Sequence, residues 1–167
     1  ILEALEQYSK EYGKETNQIT CFGHLSVEPA KQNSFHAYEG IVKTKHFKKY
    51  QRTFSGHFHL HQVLKDNVVY VGAPMQFNFG DAGIQKGIVE YSPATNTFEY
   101  IVNPKHERYF RITAKQVPKL LAEPEKYKGA FVAIQYDDDQ MLDPKIHQEL
   151  TDQLAEAGVG FVRKEAA

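Results

Sequence analysis

The sequence has little of three features that would narrow its class: cysteine, long apolar runs and an excess of charge. The single cysteine, Cys21, excludes an internal disulfide and is typical of a reducing compartment. No apolar run is long enough to span a membrane and no secretory signal pattern is present, so we expect a soluble, cytoplasmic protein without a membrane partner. The 20 basic residues are balanced by 21 acidic ones, which leaves no global field to recruit nucleic acid.

The order of predicted elements indicates an α/β protein. With 167 residues, of which 41% are hydrophobic, the chain can bury the core of one domain together with a small appendage. A first helix is predicted before Gly13 from four apolar residues at helical spacing: Ile1, Leu2, Leu5 and Tyr8. Further elements are predicted at residues 18–22 (strand), 41–50 (short helix), 52–59 (strand entering a loop) and 68–71 (strand), followed by a hairpin of GIVEY and TFEYIV.

From about residue 105 the pattern changes to strand, helical region, strand, helix and strand. The last helix should begin with Asp143 as N-cap and Pro144 at its first position, and should end at Gly158. We therefore predict one domain at residues 1–104 and an α+β module at residues 105–167. The core of the module should contain these apolar residues: Phe110, Ile112, Leu120, Leu121, Val132, Ile134, Ile146, Leu150 and Leu154.

Three of the eight histidines alternate in the segment GHFHLH, residues 56–61. Neutral imidazole is the commonest ligand of divalent transition metals, and side chains two apart on a strand point the same way. His24 also follows a glycine at the end of a predicted strand, and α/β sheets bind ligands at the carboxyl edge. The pattern therefore predicts that His24, His57 and His59 converge on one site, which serves one ion or two adjacent ions.

Other residues around this pattern have less defined roles. Gly56 should let a metal ion or a metal-bound phosphate approach the backbone closely. His61 either supports the site, faces substrate or is a surface residue. The histidines that lack the strand-end setting are interpreted as structural or solvated: His36, His46, His106 and His147.

The segment Gly56-His57-Phe58-His59 resembles the G-H-x-H motif of the calcineurin-like metallophosphoesterases. The longer run FSGHFHLHQVLKDNVVYVGAPMQFNFGDAG is similar to the SbcD-type DNA-repair nuclease subunits. In that family a Y-x-G-[ST]-P loop and an F-G-[DE] element follow the motif. The corresponding stretches here are residues 70–74, with Ala73 at the Ser/Thr position, and residues 79–81. The resemblance implies the C-terminal half of a metallophosphoesterase α/β/β/α sandwich, followed by a small α+β capping module.

The function implied by the resemblance is that of a divalent-metal-dependent phosphoesterase, a DNA-repair exonuclease or endonuclease subunit. Position by position, His24 and His57 would bind one ion and His59 the other. His61 and Asn78 are predicted on the substrate side, Asn78 because its loop follows the motif strand. The family is associated with two divalent ions, usually manganese, with zinc or iron as alternatives; such ions polarise a phosphodiester and activate water. The implied partners are DNA, an SbcC-type, SMC-like ATPase subunit and a second copy of the chain in a homodimer.

Motifs of the family's first half are absent from the sequence. They are D-x-H, G-D and G-N-H, which supply the bridging aspartate, further ligands and a histidine for the leaving group. No Asp stands two residues before a His, and no Asn directly precedes one. Gly80-Asp81 follows the histidine motif, so its order excludes the bridging role. We therefore expect the C-terminal part of a longer enzyme, inactive by itself, whose catalytic residues this sequence does not define.

Alternatives stay open at three points. The protein could instead be a phosphoesterase for small nucleotides or phosphoproteins, or a non-catalytic binding module that keeps the fold. The basic run KTKHFKKYQR, residues 43–52, predicts either a contact with a phosphate backbone or a solvated helix with Phe47 and Tyr50 in the core. Residues 137–139, three aspartates, form either a cation site or a solvated turn.

Overall fold

The computed structural model describes residues 1–32, 36–136 and 144–166. It shows a mixed α/β chain whose sheets contain parallel and antiparallel strands, which confirms the predicted class at this level. Within the described ranges no helix combines the length and the apolar character needed to cross a membrane. The predicted N-cap Asp143 and the aspartates at 137–139 lie outside the described residues.

The chain divides into two compact units. The first comprises Ile1–Pro74 and Lys86–Pro104, and the second comprises Met75–Gln85 with the described part of Lys105–Ala167. Our sequence-based boundary lies between residues 104 and 105, and the structure adds residues 75–85 to the second unit. The reason is Gln76, whose buried side-chain oxygen accepts hydrogen bonds from the backbone N–H groups of residues 108 and 109, both at 2.9 Å.

The described elements follow one another in this order. The first unit contains α1 (Leu2–Tyr12), β1 (Thr20–Gly23), β2 (Arg52–Ser55), β3 (Gln62–Val63), β4 (Val68–Tyr70), β5 (Gly87–Ser92) and β6 (Thr97–Val102). The second contains β7 (Tyr109–Thr113), α2 (Val117–Leu121), α3 (Pro124–Tyr127), β8 (Phe131–Tyr136), α4 (Pro144–Glu156) and β9 (Phe161–Ala166). Short 3-10 turns occur at Gly13–Gln18, Thr44–Phe47, Phe79–Asp81 and Ala114–Gln116.

The main sheet of the first unit has the strand order β1-β2-β4-β3. Its first three strands are parallel, and β3 runs antiparallel to β4. The register pairs Gly23 with Ser55, so the carboxyl ends of β1 and β2 lie side by side. The predicted hairpin is confirmed as β5 and β6, and it packs through Tyr91 and Phe98 against Phe54 of β2, with ring centroids 4.8 and 5.9 Å away.

The predicted helix at residues 41–50 is wrong, because the structure has only the 3-10 turn Thr44–Phe47 there. Lys43 has an extended backbone, and its N–H donates to His46 Nδ1 at 3.0 Å, which caps the turn. Phe47 and Tyr50 are buried, as the core interpretation of the basic run required. Two buried apolar residues anchor one turn, whereas a longer helix must bury a stripe along its whole length to offset the cost of nucleation.

The second unit is a parallel sheet of order β7-β8-β9 with a core of its own. Eight of the nine predicted core residues pack in this cluster, and Leu120, Val132, Ile134 and Leu154 are its buried centre. Ile146 is the exception, since it is 48% exposed on α4. The neighbouring residue His147 lies against the sheet instead, with its Nδ1 2.8 Å from the hydroxyl of Tyr136 on β8.

Candidate metal centre

Two glycine–histidine pairs follow neighbouring parallel strands. Gly23 ends β1 and precedes His24, and Gly56-His57 directly follow β2. The Gly56 N–H donates to the Gly23 carbonyl at 3.0 Å, which extends the pairing of the two strands as far as the histidines. The sheet therefore brings His24 and His57 together at its carboxyl edge.

The imidazoles of His24 and His57 contact each other. His57 Nδ1 and His24 Nε2 are 3.3 Å apart, and the ring centroids are 5.1 Å apart with the planes inclined by 75°. Both side chains are exposed to solvent, so a dissolved ion can reach them. A neutral imidazole has one N–H and one lone pair, and in this geometry one ring donates to the other.

The spacing of the two nitrogens is compatible with two ligands of one tetrahedral ion. Zinc–imidazole bonds of about 2.0–2.1 Å at a tetrahedral angle place the two ligand nitrogens about 3.3 Å apart. Binding of a cation to both nitrogens would require the loss of the proton that the two rings share. The observed pair therefore fits two ligands of one ion, which would complete its coordination with other groups.

Buried hydroxyl groups hold the two strand ends in place. Ser55 accepts a hydrogen bond from the Leu25 N–H at 3.0 Å. Tyr70 on β4 accepts from the Val27 N–H at 2.8 Å and donates to the Leu25 carbonyl at 2.7 Å. Burial raises the pKa of Tyr70, so its hydroxyl stays protonated and remains a donor. These bonds fix the chain that follows His24 against β2 and β4.

Gly56 and His57 have backbone features that this arrangement demands. A Cβ at position 56 would lie 3.1 Å from His24 Nδ1, so the missing side chain makes room for an imidazole. The contact at Gly56 is thus with the His24 ring, a partner that the sequence did not reveal. His57 has φ 87°, in the left-handed region that is costly for any residue except glycine. Strained backbone of this kind occurs preferentially at functional sites.

The two residues after His57, Phe58 and His59, are held by contacts within the first unit. Phe58 is buried, with its ring centroid 4.7 Å from His57 and 5.2 Å from Tyr70. The carbonyl of His59 accepts a hydrogen bond from the ammonium group of Lys86 at 2.8 Å, and Lys86 is 0% exposed. Phe58 and Lys86 therefore anchor the segment around His57 and His59, while binding of a second ion by His59 stays a prediction.

The two residues predicted on the substrate side both have contacts within the protein. His61 Nδ1 donates to the Tyr70 carbonyl at 2.8 Å, since a carbonyl only accepts, and its ring stacks on Tyr100 with centroids 4.1 Å apart. Asn78 lies in the second unit, where its side-chain oxygen accepts from the Gly80 N–H at 2.8 Å and caps the turn Phe79–Asp81. Their roles toward a substrate stay predictions.

Two of the four histidines interpreted as structural or solvated, His46 and His147, have hydrogen bonds within the chain. His46 caps the turn Thr44–Phe47 through its Nδ1. His147 Nδ1 forms a hydrogen bond with the Tyr136 hydroxyl at 2.8 Å, and burial, with a contribution from Lys164, lowers the pKa of His147. The lowered pKa favours the neutral form of the imidazole.

No group of three or more His, Cys, Asp or Glu side chains in the described ranges is arranged to hold a metal ion. Within that part of the chain, the candidate site therefore offers two ligands, His24 and His57. The sequence did not reveal its supports, Ser55, Tyr70 and Lys86, because each bonds to a residue 27 to 45 positions away. The sequence contained one signal of these supports, the serine that directly precedes Gly56-His57. Lysine side chains are usually exposed, so the burial of Lys86 could not be expected from its residue type.

Comparison with models of known protein families gives no match for the chain, and comparison with curated proteins gives none either. The function of the site is therefore argued from the geometry of its residues and from the sequence resemblance.

Proposed function

We propose that the chain is part of a divalent-metal-dependent phosphoesterase that hydrolyses phosphodiester bonds in DNA, as a DNA-repair exonuclease or endonuclease subunit. The observation that carries the proposal is the 3.3 Å spacing of His24 Nε2 and His57 Nδ1 at the carboxyl edge of a parallel sheet. His24 and His57 bind one ion in this proposal, and His59 binds a second. Manganese is the proposed metal, with zinc or iron as alternatives.

The residues of this chain hold and orient the ligands. When bound, the metal supplies a positive charge that polarises the phosphodiester. Ser55 and Tyr70 fix the two strand ends, and the Lys86 ammonium fixes the His59 carbonyl. The backbone near His24 and at His59 is therefore held in place before an ion binds.

The substrate and the partners are proposed from the resemblance. The run that is similar to SbcD-type nucleases extends past the histidines through residues 70–74 and 79–81, which favours DNA over a small nucleotide or a phosphoprotein. The proposed partners are DNA, an SbcC-type, SMC-like ATPase subunit and a second copy of the chain. A cytoplasmic location agrees with the single, partly buried Cys21, whose pKa is raised by burial and which is therefore a poor nucleophile.

Metal binding by defined variants tests the site. Titration calorimetry with Mn²⁺ and with Zn²⁺ should detect binding to the chain and its loss in His24→Ala and in His57→Ala. The matched control is His36→Ala, an exposed histidine outside the strand ends, which should bind as the parent does. Equal affinity in the parent and in both site variants would refute the assignment of His24 and His57 as ligands.

A second candidate, a metal-binding module without catalysis, is favoured by the absence of a third ligand among the described residues. The two candidates differ in what they predict for complementation. If the enzymatic proposal holds, a polypeptide that carries the D-x-H, G-D and G-N-H motifs should restore Mn²⁺-dependent DNA cleavage when it associates with this chain. Restoration that is lost in His57→Ala supports the nuclease, whereas association without cleavage supports the module.

A further inference from the structure

A cleft of about 530 Å³ lies in the first unit between α1 and the turn Thr44–Phe47. This volume falls within the range of about 300–1,000 Å³ that is usual for small-molecule sites. Its apolar floor contains Leu2 and Leu5, which are half-buried, and Tyr50, which is 3% exposed. The cleft thus has a covered base, and its chemical character is decided by the side chains on its rim.

The rim of the cleft presents hydrogen-bond donors and positive charge. Three lysines line it, Lys10, Lys45 and Lys49, together with Ser9 and His46. Glu6 is the carboxylate among the lining residues, and it pairs with Lys10 at 3.0 Å. Three ammonium groups against one carboxylate leave a net charge of +2 on the lining, without any contribution from the histidine.

The hydrogen bonds already present fix which groups remain as donors. His46 Nδ1 accepts from the Lys43 N–H at 3.0 Å, so the neutral ring carries its proton on Nε2. Lys49 Nζ donates to Ser9 Oγ at 3.0 Å, which leaves the serine hydroxyl hydrogen for another acceptor. Besides the lysine ammonium groups, the cleft therefore offers the His46 Nε2–H and the Ser9 hydroxyl as donors to a ligand that has acceptor oxygens.

The two walls are tied together, so the cleft is formed before a ligand arrives. The Tyr50 hydroxyl donates to the Leu5 carbonyl at 2.9 Å, across the floor, and Phe47 is 1% exposed in the core behind it. The wall after the turn continues through Gln51, whose N–H donates to the Ile19 carbonyl at 3.0 Å, just before β1 and β2 begin. The cleft thus lies at the amino ends of these strands, whereas His24 and His57 follow their carboxyl ends.

We propose that this cleft binds the phosphate group of a phosphate-bearing ligand. Lysine ammonium groups serve as point charges for phosphate oxygens, and a hydroxyl and an imidazole N–H add directed bonds to the same oxygens. The apolar floor beside the cations suits the organic part of such a ligand. The same chemistry is provided by a free phosphate compound and by the backbone of a nucleic acid, and both are probed separately.

Titration calorimetry of the full chain at low salt tests the site, with inorganic tripolyphosphate as the probe. The double variant Lys45→Gln/Lys49→Gln should weaken binding about tenfold or more, since charged hydrogen bonds are lost. The matched control, Lys115→Gln/Lys119→Gln, makes the same charge change at two exposed lysines of the second unit and should weaken binding by about twofold or less. Thermal unfolding checks that each variant is folded, and Lys45→Gln alone gives the same comparison if the double variant is not.

A single-stranded DNA of about 12 nucleotides distinguishes the two sources. If the backbone is the ligand, DNA competes with tripolyphosphate, and the double variant lowers the slope of log affinity against log salt by about 1.4, for two lost contacts. If a free phosphate compound is the ligand, DNA does not compete. The proposal fails if neither probe binds at millimolar concentration, or if the cleft and control variants lose affinity equally. Both probes are measured without divalent metal, so that the metal centre does not contribute to the binding.

Discussion

His57 combines a strained backbone with a side chain that contacts a second histidine. Its φ of 87° places it where glycine is favoured, yet the residue is an exposed histidine whose ring lies against His24. Phe58, buried next to it, holds the backbone in this conformation. The strain is therefore maintained by the packing of the neighbouring residue, and the histidine itself is placed where it can bind an ion.

Removal of this backbone strain should raise the free energy of unfolding. His57→Gly should be more stable than His57→Ala by about 1 kcal/mol, because glycine adopts positive φ without the steric cost of a Cβ. Both variants lack the imidazole and should lose Mn²⁺ and Zn²⁺ binding alike. Urea unfolding without metal and calorimetry with metal measure the two effects. Equal stability of the glycine and alanine variants would show that the conformation at position 57 is not strained.

Gly56 should control the position of the His24 ring. An alanine Cβ there would lie 3.1 Å from His24 Nδ1, so Gly56→Ala should push the ring away from His57. We expect metal affinity to fall by about tenfold, as it does when groups that orient a ligand are altered. Calorimetry with Zn²⁺ measures the change, and urea unfolding in the absence of metal shows whether the fold is kept. Unchanged affinity in a folded variant would contradict the packing of His24 on this glycine.

At the scale of elements, the strand ends and the hairpin were predictable, but their connections were not. Alternating apolar residues and a Pro–Asn turn define β5 and β6 locally, and each Gly–His pair marks the end of a strand. The turn Thr44–Phe47 was overestimated as a helix because its lysines fit a solvated helical face equally well. Gln76 connects residues 75–85 to the second unit through hydrogen bonds to residues that are 32 and 33 positions away in sequence. No local sequence pattern encodes contacts over such a separation.

The hydroxyl of Tyr70 connects β4 to the chain after β1. Tyr70→Phe leaves the Val27 N–H and the Leu25 carbonyl without this partner, so the free energy of unfolding should fall by about 1–3 kcal/mol. Thermal or urea unfolding at neutral pH measures the loss. Because the same hydroxyl fixes the segment after His24, Zn²⁺ affinity should also fall, whereas an unchanged free energy of unfolding would mean that the hydroxyl contributes nothing net.

The pH dependence of stability should report the same hydroxyl. Burial raises the pKa of Tyr70 in the folded chain, whereas an unfolded tyrosine titrates near pH 10, at about its ordinary value. The folded state thus retains the proton longer, and its advantage is present below about pH 10 and is lost as the pH rises through the raised pKa. Burial also raises the pKa of Tyr50, Tyr100 and Tyr136, so the parent should lose stability at alkaline pH and Tyr70→Phe should lose less. An identical alkaline decline in both proteins would contradict this contribution.

At the scale of the whole molecule, the described residues bring two imidazoles together without a carboxylate beside them. Two divalent ions about 4 Å apart repel each other by about 17 kcal/mol at an effective dielectric constant of about 20, and a bridging carboxylate normally offsets part of this energy. The pair of histidines supplies no negative charge. A single ion is therefore the most that this arrangement should hold.

We expect the purified chain to take up about one Mn²⁺ or Zn²⁺ ion weakly and to leave a DNA substrate uncleaved, because hydrolysis by this class requires two ions, each stabilising a different oxygen of the displacement. Protonated imidazole does not bind metal, so uptake should fall as the pH decreases below about 6. Equilibrium dialysis between pH 5 and 8, in steps of about half a unit across the range where histidine titrates, measures the uptake. A nuclease assay with excess Mn²⁺ measures cleavage. Two tightly bound ions, or strong Mn²⁺-dependent cleavage by residues 1–167 alone, would show that a carboxylate outside the histidine pair completes the site and would overturn the roles assigned to His24, His57 and His59.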